Sequence, residues 1–285
     1  VLISFLNRFF RLREESDETK PFLQHLEEFR WMLMKMALVL IASMITSFCF
    51  RHQLVDIVQK PLHAVDPDLV ARLQTLGVAD SLMISIQLAF YAGIILAFPL
   101  LLLFLAQFIV PGLKRKEKKL VLPVIATGTL LFVSGITLCY FFVLPQTLEF
   151  FYQDAKSLNW VPTWTVREYF SFVTQLTLAF GIAFELPIVV MTLVSLGLIS
   201  FHFMNQTRPF AIVILLVIAA ILAPTPDVIT FLSMGAPLCL LYELCIWLAW
   251  IVERRRTRRL AAPLEPLEPL EGPAAREERP PVERE

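Results

Sequence analysis

Charge is scarce in this chain, and what there is cancels. Only 18% of the 285 residues are Asp, Glu, Lys or Arg, and 25 acids offset 25 bases to leave a formal net charge of zero. That charged fraction is too low for the surface of an ordinary soluble domain. Cysteine is nearly missing: Cys49, Cys139, Cys239 and Cys245 stand far apart or without the spacing of a metal or redox pair, so they read as packed thiols. His25, His52, His63 and His202 are scattered and form no HExxH pattern. There is no GxxxxGK[ST] phosphate loop and no GxSxG elbow, which argues against ATP-driven work and familiar hydrolase chemistry. No metal, cofactor or nucleic-acid partner is expected.

What the chain has in their place is hydrocarbon. It is 57% hydrophobic with a mean hydropathy of +0.67, and apolar runs near the ~20 residues needed to cross ~30 Å of lipid recur along it. They cover Trp31–Phe50, Leu82–Val110, Leu120–Leu144, Phe170–Ile199, a shorter Phe210–Ala223 and Val228–Val252. The expected fold is an all-α membrane protein with six transmembrane helices. Bases cluster at Arg8 to Arg30, at Lys114 to Lys119 and at Arg254 to Arg259, on one side of a six-span chain. The positive-inside rule makes that side cytoplasmic, so both termini are expected inside.

Three regions follow from this pattern. Residues 1–20 read as a basic, amphipathic cytoplasmic segment; the charge follows the apolar part, the reverse of a cleavable signal. Residues 21–252 form the membrane domain. Residues 253–285 begin basic and continue as PLEPLEPLE and mixed Arg, Glu and Pro, a composition expected to stay disordered on the cytoplasmic side.

The acids that remain carry the functional signal. Glu185 lies inside FGIAFELP in a long apolar stretch, and Glu243 lies in the last span. A charge at the centre of a membrane helix costs roughly 2.5–3.5 kcal/mol on insertion scales, so each is a functional candidate. Glu27 and Glu28, in PFLQHLEEFR, stand at the start of the first span, and Glu117 stands among five cations in FIVPGLKRKEKK. Two acidic sites at one membrane face could grip a ligand that presents two guanidinium groups, since Arg and carboxylate form bidentate, charge-assisted pairs. Taken alone, a Glu beside Lys and Arg is more often one half of a local ion pair than a receptor site. A proton-coupled secondary transporter using Glu185 and Glu243 as relay groups is an alternative, although no internal repeat supports it. For an enzyme, no nucleophile and base stand in register.

HLEEFR, FIVPGLKRKEKKL, LFVSGITLCYFFVLP, FGIAFELP, PTPDVIT and LYE occur in this order over roughly residues 21–252. Together they resemble the TatC family, the multispanning receptor component of the twin-arginine protein translocase. The resemblance implies a receptor in the bacterial inner membrane that binds twin-arginine signal peptides on folded cargo. It also implies TatA-like and TatB-like single-span partners, self-association in a receptor complex, and the proton-motive force as the energy source. By motif, Glu28 and Glu117 fall on the two acids that contact the signal's arginines, with Glu27 beside them. Arg30 falls on a basic position, Phe108 and Pro111 lead into the first cytoplasmic loop, and Pro61, Pro99 and Asp227 match structural positions. Met32, Gln87, Phe104 and Ala106 depart from the family pattern.

The same resemblance turns Glu185 toward a single-span partner helix, where a hydrogen bond in lipid would select identity and register. The competing reading is a protonated Glu satisfied within its own bundle. Pro187, two residues on, should free a backbone carbonyl or kink the helix. Glu243 is expected to pair within the bundle. The fifth span, about 20 Å long between Pro209 and Pro224, should thin the bilayer beside it.

Overall fold

In hydrocarbon no water is available to the backbone, so an apolar run closes its own hydrogen bonds as a helix. The computed structural model of the chain describes residues 22–109, 121–195, 199–222 and 227–260, and among these the regular structure is helical apart from one isolated bridge. In chain order the helices are α1 (Phe22–Cys49), α2 (Arg51–Val65), α3 (Pro67–Ala71), α4 (Asp80–Ile109), α5 (Val121–Leu138), α6 (Leu144–Ser157), α7 (Val166–Ala183), α8 (Leu186–Ser195), α9 (Phe201–Gln206), α10 (Arg208–Leu222) and α11 (Val228–Leu260).

Five stretches are long and apolar enough to cross a bilayer: His25–Cys49, Asp80–Ile109, Val121–Ser157, Val166–Val194 and Thr230–Ile251. The remaining expected span, the fifth in chain order, is α10. Its 15 residues rise about 22 Å at ~1.5 Å each, short of ~30 Å of hydrocarbon. The described residues therefore hold five full-length candidates and one short apolar helix. Residues 1–21 and 261–285, which include the expected amphipathic segment and tail, lie outside the described residues. α11 runs past the last apolar residues as far as Leu260, so the basic stretch from Arg254 is helical.

α7 is the central helix. Tyr169, Phe170, Val173, Leu176, Ala179 and Phe180 are all buried, and α4 and α5 pack against it. Two glycines permit close approaches of helix to backbone. A Cβ on Gly135 of α5 would lie 2.7 Å from the Phe180 carbonyl oxygen, and one on Gly93 of α4 would lie 2.9 Å from Met44 Cα of α1. Side chains at either position would force the helices apart.

α5 passes into α6 through a π turn, Cys139–Val143. Pro145 is the cause: it has no N–H and its ring crowds the preceding turn, and the wider turn accommodates both. α6 then joins α2 and α3 in a cap over one end of the bundle, cored by Val58, Leu62, Leu69, Leu148 and Tyr152.

Pro61 sits inside α2. It cannot donate to the carbonyl four residues back, that of Ile57. The Tyr140 hydroxyl donates to that oxygen at 2.6 Å, and Tyr169 donates to the next one, Val58, at 2.7 Å. A third tyrosine, Tyr152, donates to Asp66 Oδ2 at 2.6 Å, while Asp66 caps α3 by accepting the Asp68 N–H at 3.0 Å. Those two donors hold the Asp66 carboxyl below its ordinary value. Gln74 and Thr165 close the cap as a parallel bridge, with Val166 N–H donating to the Gln74 carbonyl at 2.9 Å.

Candidate recognition and docking sites

At the end of the bundle opposite the cap, the start of α1 meets the end of α4. Phe108 stacks on His25 with ring centroids 4.5 Å apart and lies 5.5 Å from Phe29. One turn along α1 from His25 stands Glu28, whose side chain is only 16% exposed and whose Oε2 lies 3.8 Å from His25 Nδ1. Glu28 and Phe108, singled out separately in the sequence, therefore belong to one junction. Glu27 is exposed. The Arg30 guanidinium, the base nearest to Glu27 in sequence, lies 6.0 Å from the Trp31 ring centroid. Glu117 and Pro111 lie outside the described residues.

Sequence reasoning passed over Gln107, next to Phe108. Its Nε2 is buried and has no hydrogen-bond partner among the described residues. The available signal was its solitude, the one amide in the run Leu100–Ile109. Met32, where the family often has a base, is buried. Gln87 is engaged across α4 and α7, with Nε2 3.1 Å from Ser171 Oγ and 3.3 Å from Thr174 Oγ1. Phe104 and Ala106 are partly buried in α4.

Glu185 does not sit within a helix. α7 ends at Ala183 and α8 begins at Leu186, so Glu185 occupies the break. Pro187 explains the break, because it cannot donate to the Ala183 carbonyl. Glu185 N–H bonds Ile182 O at 3.0 Å as the turn tightens. The half-buried carboxyl points at α5, where Gly128 makes room: a Cβ there would stand 3.0 Å from Glu185 Oε2 and 3.1 Å from Leu102 Cδ1. Glu185 Oε1 is buried with no hydrogen-bond partner among the described residues. Among the described residues, no group of the bundle satisfies that oxygen. The orphaned oxygen is an acceptor, or a donor when protonated, held at a helix break.

Glu243 is a different case. Arg208, at the start of α10, grips it with two guanidinium bonds, Nε to Oε1 at 2.6 Å and Nη2 to Oε2. The pairing expected within the bundle is present, and Arg208 is the partner that the sequence did not single out. Tyr242, one residue before, donates to the Met204 carbonyl at 3.2 Å, which ties α11 to α9. Asp227 caps α11 by accepting the Thr230 N–H at 2.7 Å. Pro99 lies inside α4, beside Phe98, which stacks on Phe132 of α5 at 3.5 Å.

Apolar helices of spanning length, polar groups gathered at helix breaks and ends, and a clamped cap define a polytopic integral membrane protein. The family model for TatC, "Sec-independent protein translocase protein", matches residues 24–237. The chain belongs to the TatC family. It is 47% identical over 180 residues to the Sec-independent protein translocase protein TatC of Akkermansia muciniphila, an alignment that covers 63% of this chain and 52% of that protein. The TatC of Desulforapulum autotrophicum is 35% identical over 235 residues, 82% of this chain and 85% of its own length. A crystal structure of the twin-arginine translocase receptor TatC is 36% identical, covers 81% of this chain and 100% of its own, and superposes with a TM-score of 0.73. The chain is thus a component of a Sec-independent protein translocase.

Proposed function

We propose that the chain is the receptor of a twin-arginine export system in a bacterial cytoplasmic membrane. It has six spans with both termini in the cytoplasm, and α10 is the fifth. The junction of α1 and α4 binds the twin-arginine signal peptide of folded cargo. Glu28 pairs with one guanidinium and Glu117 with the other, with Glu27 close by. The observation that carries this reading is the setting of Glu28, a mostly buried carboxylate beside His25, whose ring in turn stacks on Phe108, where charge-assisted bonds outweigh those formed in open water. Glu185, with an oxygen lacking a partner among the described residues, is the docking point for a TatA-like or TatB-like single-span helix. The receptors associate with one another, and the proton-motive force drives transport.

Site-specific photocrosslinking of a twin-arginine signal peptide to the reconstituted chain is the test. Glu28→Ala should weaken crosslinking on the order of tenfold, the equivalent of about 1.5 kcal/mol for a hydrogen bond to a charged group, and Glu28→Ala with Glu117→Ala should abolish it. Undiminished crosslinking in the double variant would sink the assignment.

A further inference from the structure

The apolar stretch Thr230–Ile251 of α11 has 22 residues, about 33 Å at ~1.5 Å each, enough to cross ~30 Å of hydrocarbon. The helix does not stop there. It continues to Leu260 through Arg254, Arg255, Arg256, Thr257, Arg258 and Arg259. Six residues rise about 9 Å, enough to cross one headgroup layer. Glu253, the one acid in this extension, is occupied, since its Oε2 accepts the Phe201 N–H at 3.0 Å.

The extension is continuous with a surface that faces outward. Leu240 and Trp247, seven residues apart, are each 69% exposed, and Arg254 follows after another seven. The opposite side of α11, with Leu238, Cys245 and Ala249, is buried. Trp250 is also exposed, and the Arg254 guanidinium lies 5.0 Å from its ring centroid. Exposed tryptophans at the end of a span are the usual occupants of a membrane–water boundary. By helical register, position 258 falls one turn beyond Arg254 on the same stripe.

We propose that the arginine-rich extension of α11, with Trp247 and Trp250 beneath it, is a binding surface for anionic phospholipid headgroups. The helix carries its arginines directly from hydrocarbon into the phosphate layer, and guanidinium groups suit bidentate phosphate recognition. A run of four to eight bases immediately after a span is the composition that anionic leaflets attract.

The test uses the full chain with Trp31, Trp160 and Trp164 replaced by phenylalanine, so that emission reports Trp247 and Trp250. It is reconstituted in phosphatidylcholine vesicles containing either brominated phosphatidylglycerol or brominated phosphatidylcholine at equal mole fraction. Quenching should favour phosphatidylglycerol at least about fivefold, the equivalent of one arginine at an anionic surface. Replacing Arg254, Arg255, Arg256, Arg258 and Arg259 with glutamine should remove the preference. In the arginine-bearing chain, raising salt from 0.1 to 1 M should shrink it as the Debye length falls from ~10 to ~3 Å, which keeps the test decisive if the glutamine variant fails to fold. Equal quenching by the two lipids, or a preference insensitive to both arginine replacement and salt, would overturn the proposal. So would a preference that appears only after removal of residues 261–285, because the chain's own acidic tail would then be the occupant.

Discussion

At the scale of single residues, Gly128 and Glu185 form a matched pair: one gives up a side chain so that the other can place its carboxyl against α5. Gly128→Ala would put a methyl group 3.0 Å from Glu185 Oε2 and 3.1 Å from Leu102 Cδ1, and the carboxyl must move. Copurification of a single-span partner with the tagged chain should fall about threefold, in line with ~0.6 kcal/mol for an interhelical hydrogen bond. Glu185→Gln should retain most of the partner and Glu185→Leu should lose it. The leucine variant should nonetheless be at least as heat-stable as the parent, because it removes a buried polar atom that has no partner among the described residues. A partner bound equally well by the leucine variant would refute the docking role. Glu185 was legible in sequence as an acid in an apolar run; its orphaned oxygen was not, because a missing partner can be seen only when the neighbours are in place.

At the scale of elements, the cap turns on Pro61 and its tyrosines. Tyr140→Phe removes the hydroxyl that donates to Ile57 and should lower stability by about 1 kcal/mol. Pro61→Ala supplies the missing N–H from within α2, so Tyr140→Phe should cost measurably less in that background. A double-mutant cycle of thermal or denaturant unfolding reads the coupling, and strict additivity would refute the compensation.

Asp66 makes a separate, pH-dependent contribution to the same cap. Its carboxyl is held below the ordinary value, chiefly by the Tyr152 hydroxyl, so its stabilisation is present above the unfolded-state value and is lost as pH falls through the folded-state value. Asp66→Asn should unfold at a lower temperature than the parent at pH 7, and the gap should close only below about pH 4. A gap independent of pH would remove the carboxylate from the account. Proline, tyrosine and aspartate were all visible in the sequence. Their partnership was hidden because 83 residues separate Tyr140 from Ile57 and 86 separate Tyr152 from Asp66.

At the scale of the molecule, the short α10 is held at one end. Arg208 and Glu243 pin its start to α11, and the pair is partly exposed at 46% and 30%, so its contribution to stability is about 1 kcal/mol. Glu243→Gln and Arg208→Gln should each destabilise the chain, and the double variant should be milder than the sum of the two because neither charge is left alone. Exchanging the residues, Arg208→Glu with Glu243→Arg, should recover part of the loss in thermal unfolding. Failure of the exchange, together with full additivity of the single variants, would rule the pin out.

The apolar periodicities and charge clusters determined by themselves that this chain is a helical membrane protein, where its long helices run, and which acids are costly enough to need a reason, because the free energy of leaving water depends on composition and length alone. The order of motifs added the family. Only the tertiary structure decided that Glu28 shares a junction with Phe108, that Glu185 lies in a helix break with an unmet oxygen, that Glu243 belongs to Arg208, and that three tyrosines clamp the cap. Those depend on distances between residues far apart in the chain, and a hydrogen bond or an ion pair exists only where packing brings its two halves to within about 3 Å.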